Sequence, residues 1–153
     1  MNAELGPTRL LNVRDKPDLL GRVMRALQGN AHISLEGNLK RCVFGPELRT
    51  PSSETDLLKR STEWPKLDFV VLPLEEGSVD PILKQILQAG FHDIIHIQIE
   101  KDGRIQFGAY DNFHPECVVI GDMVLPEDVL QELVAKHTLR SFGPVRKTEG
   151  HTN

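Results

Sequence analysis

The stretch that decides the fold is residues 93–113, DIIHIQIEKDGRIQFGAYDNF. Two segments of alternating apolar and polar residues flank the pair Asp102 and Gly103, which is a strong short-range signal for a β-hairpin. Register matters here, because a slip of one residue would carry every side chain to the opposite face of the sheet. The stretch therefore predicts a long hairpin at the stable centre of the fold.

The length of the loop sets the register of this hairpin. A two-residue turn would place Ile99 opposite Gln106 and mix polar with apolar residues on both faces. A three-residue loop over residues 101–103, with Gly103 at positive φ, pairs Ile99 with Ile105 and Ile97 with Phe107, and we expect this loop. It buries five side chains: Ile95, Ile97, Ile99, Ile105 and Phe107. It exposes four others: Gln98, Glu100, Arg104 and Gln106.

Three helices are marked by a proline near the first turn, where its missing N–H has no intrahelical partner to lose. Pro17 begins the first amphipathic segment. Pro81, after the candidate N-cap Asp80, begins the second, which ends at Gly90. Pro126 begins the third, so the spacing predicts helices before, within and after the strands.

Strands are predicted at residues 32–36, 39–44, 67–74 and 117–120, in addition to the two of the hairpin. The nearly continuous apolar run at 67–74 is typical of a central strand that is covered on both faces. The order αββ(loop)βαβββα predicts an α+β fold: a single, mostly antiparallel sheet of five to six strands with three helices packed on it.

The chain length predicts one α+β domain over residues 1–142, followed by a flexible, polar C-terminal tail at 143–153. Residues 45–66 form a polar connection that is long for a compact domain, and Trp64, the only tryptophan, lies near its end. We expect this connection to cover part of the sheet.

Composition restricts the classes of function. The net charge is −4, but residues 67–135 hold 3 Lys and Arg against 13 Asp and Glu, a net charge of −10. Nucleic acid is therefore not an expected partner, because its binding depends on Lys and Arg that neutralise phosphates. No apolar run approaches the roughly 18 residues of a membrane span, so we expect no membrane contact.

Cysteine usage and the first residues predict the compartment. Cys42 and Cys117 are too few for a disulfide scaffold, and we expect two reduced, buried thiols. No basic start followed by an apolar run is visible, so we expect no signal peptide and a cytoplasmic protein.

Reactive residue types concentrate at His96, Asp111, His114 and Cys117. A cysteine beside a histidine can form a nucleophile and base. Three of these residues, Asp111, His114 and Cys117, fall within one D-x2-H-x2-C run, and His96 lies on a strand of the hairpin. That spacing matches no standard zinc site, and turn chemistry around Pro115 is the plainer interpretation. We therefore expect no metal and no cofactor.

Gly108 interrupts the outer face of the hairpin beside His96, Tyr110 and Ile94. A glycine within a strand leaves space for close approach of another group. The space either forms a shallow groove or is covered by residues 45–66, and we favour the cover.

The acidic segment predicts a non-enzymatic, cytoplasmic binding or inhibitory protein of the immunity type, whose acidic surface meets a basic protein partner. Six residues are expected at this surface: Glu75, Glu76, Asp93, Asp111, Tyr110 and Trp64. Two alternatives remain open. The charge block serves solubility alone, or the protein is a small enzyme or metal-binding protein with its site around the four reactive residues.

Overall fold

The structure, a computed structural model, describes residues 6–42 and 54–146. Within these residues, three helices accompany a seven-stranded sheet in which every pair of neighbouring strands is antiparallel. The α+β class is confirmed. The sheet has seven strands in the described part of the chain, where five to six were predicted.

The elements follow one another as β1 (Thr8–Val13), α1 (Lys16–Leu27), β2 (Ala31–Gly37), β3 (Asp68–Leu74), α2 (Val79–Ala89), β4 (Ile94–Lys101), β5 (Arg104–Ala109), β6 (Val118–Gly121), α3 (Glu127–Ala135) and β7 (Leu139–Phe142). A short 3-10 turn, Phe91–Asp93, precedes β4. The strands lie side by side in the order β3-β2-β4-β5-β6-β1-β7.

The predicted order was wrong at three places. The sequence showed no sign of β1, whose alternation is broken by Arg9 on the buried face and Leu10 on the other, or of β7, which has only four residues. Both strands exist because they pair with each other, and β1 also pairs with β6. Residues 39–42 of the predicted strand 39–44 form a turn instead, and the remainder of that strand lies outside the described residues.

The hairpin closes with a two-residue turn, so the predicted three-residue loop was wrong. Lys101 lies opposite Arg104, and the turn residues Asp102 and Gly103 both have positive φ, 55° and 79°. These angles are typical of a type I′ turn, whose twist suits antiparallel strands. The expected positive φ at Gly103 is confirmed.

The apolar residues still meet, because the mismatch is corrected within β5. Glu100 lies opposite Ile105 and Ile99 lies opposite Phe107, so Gln106 is an extra residue with no partner of its own. Such a bulge shifts the register by one residue. It pairs Ile99 with Phe107 and Ile97 with Ala109, so the predicted pairs of Ile99 with Ile105 and Ile97 with Phe107 were wrong.

Burial along the hairpin follows this register. Three of the five predicted core residues are buried: Ile97, Ile99 and Phe107. Ile95 and Ile105 are half-buried, as are Glu100 and Gln106, whereas Arg104 is exposed as predicted. The expected exposure of Gln98 was wrong, because this side chain is only 7% exposed and other polar residues surround it.

The helices begin close to their predicted prolines. In α1 the Asp15 carboxylate caps the first turn by accepting a hydrogen bond from the Asp18 N–H at 3.1 Å. Helix α2 begins at Val79 with Ser78 as N-cap, so the predicted cap at Asp80 was wrong. Pro81 still lies within the first turn, where an N–H has no intrahelical acceptor. Pro126 is the N-cap of α3.

Strand β3 is an edge strand and not the predicted central one. Pro73 is tolerated there because the outer side of an edge strand does not need the backbone N–H that proline lacks. The continuous apolar run has a different cause, since both faces of β3 are nevertheless covered. Val70, Leu72 and Leu74 belong to the core on the helix side, and Phe69 on the other face lies under Arg60, 5.2 Å from its ring centroid.

The start of the predicted tail is paired with β1. The Gly143 N–H donates to the Leu10 carbonyl, and Arg146 forms a bridge with Thr8. The rest of the predicted tail lies outside the described residues. Within residues 6–42 and 54–146, no helix has the length and apolar character to cross a membrane.

Replacing Phe107 with Ala should lower the free energy of unfolding by about 3–5 kcal/mol, because the ring is 1% exposed and its removal leaves a cavity. Chemical denaturation of the wild type and the variant measures this difference. The matched control is Leu87→Ala on α2, whose side chain is 52% exposed, and it should cost about 1 kcal/mol or less. Equal losses in the two variants would contradict the register of the hairpin.

Candidate functional site

The face of the sheet opposite the helices carries a ladder of polar pairs. Alternation along β2 and β4 turns every second residue toward this face. The antiparallel register sets three pairs across the two strands: His32 with Glu100, Ser34 with Gln98, and Glu36 with His96. Because these pairs lie in the middle of the sheet, any residue that covers them must satisfy their hydrogen-bonding groups.

The middle pair is completed by a tyrosine. The Ser34 hydroxyl donates to the Gln98 carbonyl oxygen at 3.3 Å, and the Gln98 amide donates to the Tyr110 hydroxyl at 3.0 Å. Burial raises the pKa of the Tyr110 hydroxyl, and the hydrogen bond from Gln98 partly opposes that rise. Tyr110 is therefore a neutral, structural group at neutral pH.

Gly108 makes room for this tyrosine. A Cβ at position 108 would lie 2.5 Å from the Tyr110 ring, which is too close for two carbon atoms that are not bonded to each other. The gap predicted beside Gly108 is therefore filled by Tyr110 itself. The expectation that Ile94 lies on this face was wrong, because β2 and β4 shift register at Glu36 and Ile94 is buried in the core on the helix side.

Glu36 fastens the described end of the predicted connection, residues 54–66, to the sheet. We call residues 54–66 the covering segment. The Glu36 side chain is nearly inaccessible, and its residue is 1% exposed. One carboxylate oxygen accepts from the Ser61 N–H at 2.8 Å and the other from the Thr62 N–H at 3.2 Å. Hydrogen bonds to an ionised acceptor are stronger than neutral ones, so this contact fixes the covering segment.

His96 joins the covering segment to the turn after β5. Its Nδ1 accepts a hydrogen bond from the Asp111 N–H at 3.1 Å, and its Nε2 lies 2.8 Å from the Thr62 hydroxyl. A backbone N–H can only donate, so in this arrangement the neutral ring carries its proton on Nε2 and donates to Thr62. Both nitrogens are thus used in structural hydrogen bonds.

The turn after β5 adopts a strained left-handed conformation. Asp111, Asn112 and Phe113 have φ values of 53°, 60° and 62°, which residues other than glycine rarely adopt. The Asn112 N–H donates to the Ile95 carbonyl, and the buried Phe113 ring packs edge-on against Phe91 at 5.7 Å. The turn therefore anchors one aromatic ring in the core and leaves Asp111 exposed.

The reactive residues form two separate pairs. His96 contacts Asp111 only through the backbone N–H of Asp111, and Cys117 Sγ lies 4.0 Å from His114 Nδ1. The same His114 nitrogen accepts from the Glu116 N–H at 3.2 Å. Across residues 6–42 and 54–146, no group of three or more His, Cys, Asp or Glu side chains has the geometry to hold a metal ion.

Both cysteines are free and half-buried, where we had expected them to be buried. Burial raises the pKa of the Cys42 thiol, and the nearby Asp68 carboxylate raises it further. The Cys42 sulfur also lies 3.7 Å from the Gln85 carbonyl. Cys42 is therefore held mainly as the neutral thiol.

The residues expected at an acidic surface lie at two opposite ends of the sheet. Glu75 and Glu76 follow the end of β3 that pairs with Ala31, whereas Asp93 precedes the start of β4 beside Gly37. The six steps along β2 between those ends span about 20 Å. Asp111, Tyr110 and Trp64 belong with the Asp93 end, because Thr62 and Asp111 bond to one imidazole and Trp64 follows two residues after Thr62.

Two residues that organise this site were missed in the sequence. Glu36 alternates with His32 and Ser34 along β2, so the sequence carries no signal that sets it apart from an exposed polar residue of the same face. Thr62 carries no such signal, since its role depends on where the covering segment crosses the sheet.

Comparison with known proteins finds no family model, no curated protein and no solved structure that matches this chain. What the chain does must therefore be inferred from its own residues and their contacts.

Proposed function

We propose that the protein is a non-enzymatic binding domain that recognises a basic protein partner through Trp64 and the carboxylates beside it. The single observation that carries this proposal is the exposure of Trp64, whose residue is 85% exposed on the covering segment. Tryptophan is enriched among the residues that dominate binding energy at protein interfaces. A large indole in water gains apolar burial when a partner covers it.

The backbone that presents Trp64 is held in place. Ser61 and Thr62 bind Glu36, and the Arg60 guanidinium donates to the Leu67 carbonyl while lying over the Phe69 ring. A segment that is ordered before binding loses less conformational freedom on association. This order supports Trp64 as an anchor in preference to an aromatic residue on an unfixed loop.

Charge around Trp64 supports a basic partner. Glu63 is exposed immediately before Trp64, and Asp111 is exposed on the turn that shares the His96 ring with Thr62. Lysine and arginine also stack favourably on an indole face. Lys66 is exposed two residues after Trp64 and opposes this preference. The proposed preference for a basic partner therefore rests on Glu63 and Asp111.

The first test is affinity capture from the native host, with wild-type and Trp64→Ala proteins as baits and mass spectrometry as the readout. We expect the wild type to retain a protein with a basic surface and the variant to lose it, because an anchor of this kind contributes about 2 kcal/mol or more. Met123→Ala is the matched control, since Met123 is 87% exposed on the far connection before α3. Equal loss with Met123→Ala would contradict the proposal.

The charge preference is tested on the captured partner by measuring association rates at several salt concentrations. Asp111→Lys should slow association, because it replaces an attractive charge with a repulsive one. The wild-type association rate should fall as salt rises, because the Debye length, over which charges act, shortens to about 8 Å at physiological ionic strength. Asp102→Lys places the same change on the exposed hairpin turn at the other end of the sheet and should have little effect. A rate that ignores both salt and Asp111→Lys would rule out a basic partner surface.

The support beneath Trp64 gives a separate prediction. Glu36→Gln replaces one accepting oxygen with an amide that cannot accept from Ser61 or Thr62, and should cost about 1–3 kcal/mol of stability. Amide hydrogen exchange should accelerate at residues 61 and 62 more than in β4. Glu76→Gln, on an exposed residue, is the control and should change neither quantity. Unchanged exchange at both amides would show that Glu36 does not hold the covering segment.

The contact between Cys117 and His114 favours a second candidate function, a thiol-dependent enzyme. The geometry supports it weakly, because the His114 lone pair that would accept the thiol proton already accepts from the Glu116 N–H.

Alkylation with iodoacetamide at neutral pH separates the two candidates. Cys117 should react faster than Cys42, whose raised pKa leaves less thiolate, and His114→Ala should change the Cys117 rate by about two-fold or less. A fall of about ten-fold or more in His114→Ala would show an activated thiol and would favour the enzyme.

A further inference from the structure

An open cavity of about 480 Å³ lies at the corner between β1 and α1. It is lined by Arg14, Asp15, Lys16, Pro17, Phe91, Lys136 and His137. Its volume is within the range of pockets that hold small organic molecules. None of these residues belongs to the Trp64 surface, so the cavity is independent of the proposed function.

The lining carries a surplus of positive charge. Arg14, Lys16 and Lys136 face one carboxylate, that of Asp15, which gives a net charge of +2 with His137 neutral. In the described part of the chain, no ion pair engages Arg14 or Lys136. The Asp15 carboxylate is occupied as the cap of α1, where it accepts from the Asp18 N–H.

Two corners of the chain are tied together around the cavity. The N–H groups of Arg14 and Asp15 both donate to the carbonyl of Thr138, at 2.9 and 3.0 Å. This carbonyl follows His137, whose φ of 70° turns the chain between α3 and β7. The basic residues before α1 and after α3 are therefore held on one cavity by the fold.

The remaining wall is partly apolar. Lys16 Nζ lies 3.4 Å from both the carbonyl and the side-chain oxygen of Asn112, and 5.6 Å from the centroid of the Phe113 ring. Phe113 packs against Phe91, which lines the cavity. Cations and an aromatic ring thus face the same space.

We propose that this cavity binds a small organic phosphate monoester, with its phosphate among Arg14, Lys16, Lys136 and His137 and its organic part against Phe91 and Pro17. A phosphate monoester carries a charge of about −1.5 to −2 at neutral pH, which matches the net charge of the lining. A single carboxylate would neutralise only half of that charge. The volume exceeds what a phosphate alone would fill, so an organic group is part of the ligand.

The test is a titration of the isotope-labelled full-length protein with phenyl phosphate, followed by NMR. We expect saturable chemical-shift changes at residues 14, 16, 136 and 137. Arg14→Gln and Lys136→Gln should each weaken the affinity about three- to five-fold, which is the order of magnitude of one exposed ion pair. Lys84→Gln, on an exposed lysine of α2, is the matched control and should leave the affinity unchanged. Phenol, which lacks the phosphate, should not bind.

Asp15→Asn provides the sharpest variant. Asparagine caps a helix as well as aspartate does, so α1 should remain intact while the cavity loses its carboxylate and binds phenyl phosphate more tightly. Trp64→Ala should leave the titration unchanged, which separates this site from the Trp64 surface. Three results would overturn the proposal: shifts that do not saturate, an equal effect of Lys84→Gln, or binding that Asp15→Asn weakens in a folded protein.

Discussion

Gln106, the extra residue between the Ile99–Phe107 and Glu100–Ile105 pairs, reconciles two demands on the β4–β5 hairpin. The Asp102–Gly103 pair favours a two-residue turn, and the apolar side chains must share one face of the sheet. A bulge satisfies both demands at the cost of one unpaired residue. The strands beyond β5 depend on this register, because Phe107 pairs with Ile99 of β4 on one side and with Ile120 of β6 on the other.

The face opposite the helices is polar and yet largely covered, which gives the protein its most specific feature. Glu36 is a buried carboxylate whose two oxygens each accept a backbone N–H from the covering segment. Burying an unpaired charge would destabilise the fold, and these hydrogen bonds offset that cost. His96 extends the network to the left-handed turn at Asp111. Through Glu36 and His96, the polar ladder therefore holds the covering segment, which carries Trp64, against the sheet.

The two proposed surfaces differ in charge and in shape. The Trp64 surface presents an exposed indole next to the exposed Glu63, with the exposed Asp111 on a neighbouring turn, and we propose it for a protein partner. The open cavity beside α1 is lined by three cations and the Phe91 ring, and we propose it for a small anion. Phe113 lies between them, since its turn exposes Asp111 on one side and its ring supports Phe91 and Lys16 on the other.

The sequence by itself determined the features that depend on local periodicity. The apolar stripes after Pro17, Pro81 and Pro126 specify three helices, and the alternation around Asp102 and Gly103 specifies the hairpin. The turn requires a positive φ at position 103, and glycine adopts this conformation more easily than any other residue. Even here the local signal was incomplete, since the predicted loop pairs Ile99 with Ile105, whereas the bulge within β5 pairs Ile99 with Phe107 and leaves Ile105 opposite Glu100.

Only the tertiary structure decided the features that depend on distant partners. Strands β1 and β7 are short or irregular and exist because they pair with each other, and β3 is an edge strand although its apolar run looks central. Glu36 is buried because residues 61 and 62 cross the sheet there, and the acidic residues divide between two ends of the strands. Arg14 lines the same cavity as Lys136 because its N–H donates to the Thr138 carbonyl, two residues after Lys136. Sequence periodicity reports which face a residue takes within its own element, and long-range hydrogen bonds decide what that face meets.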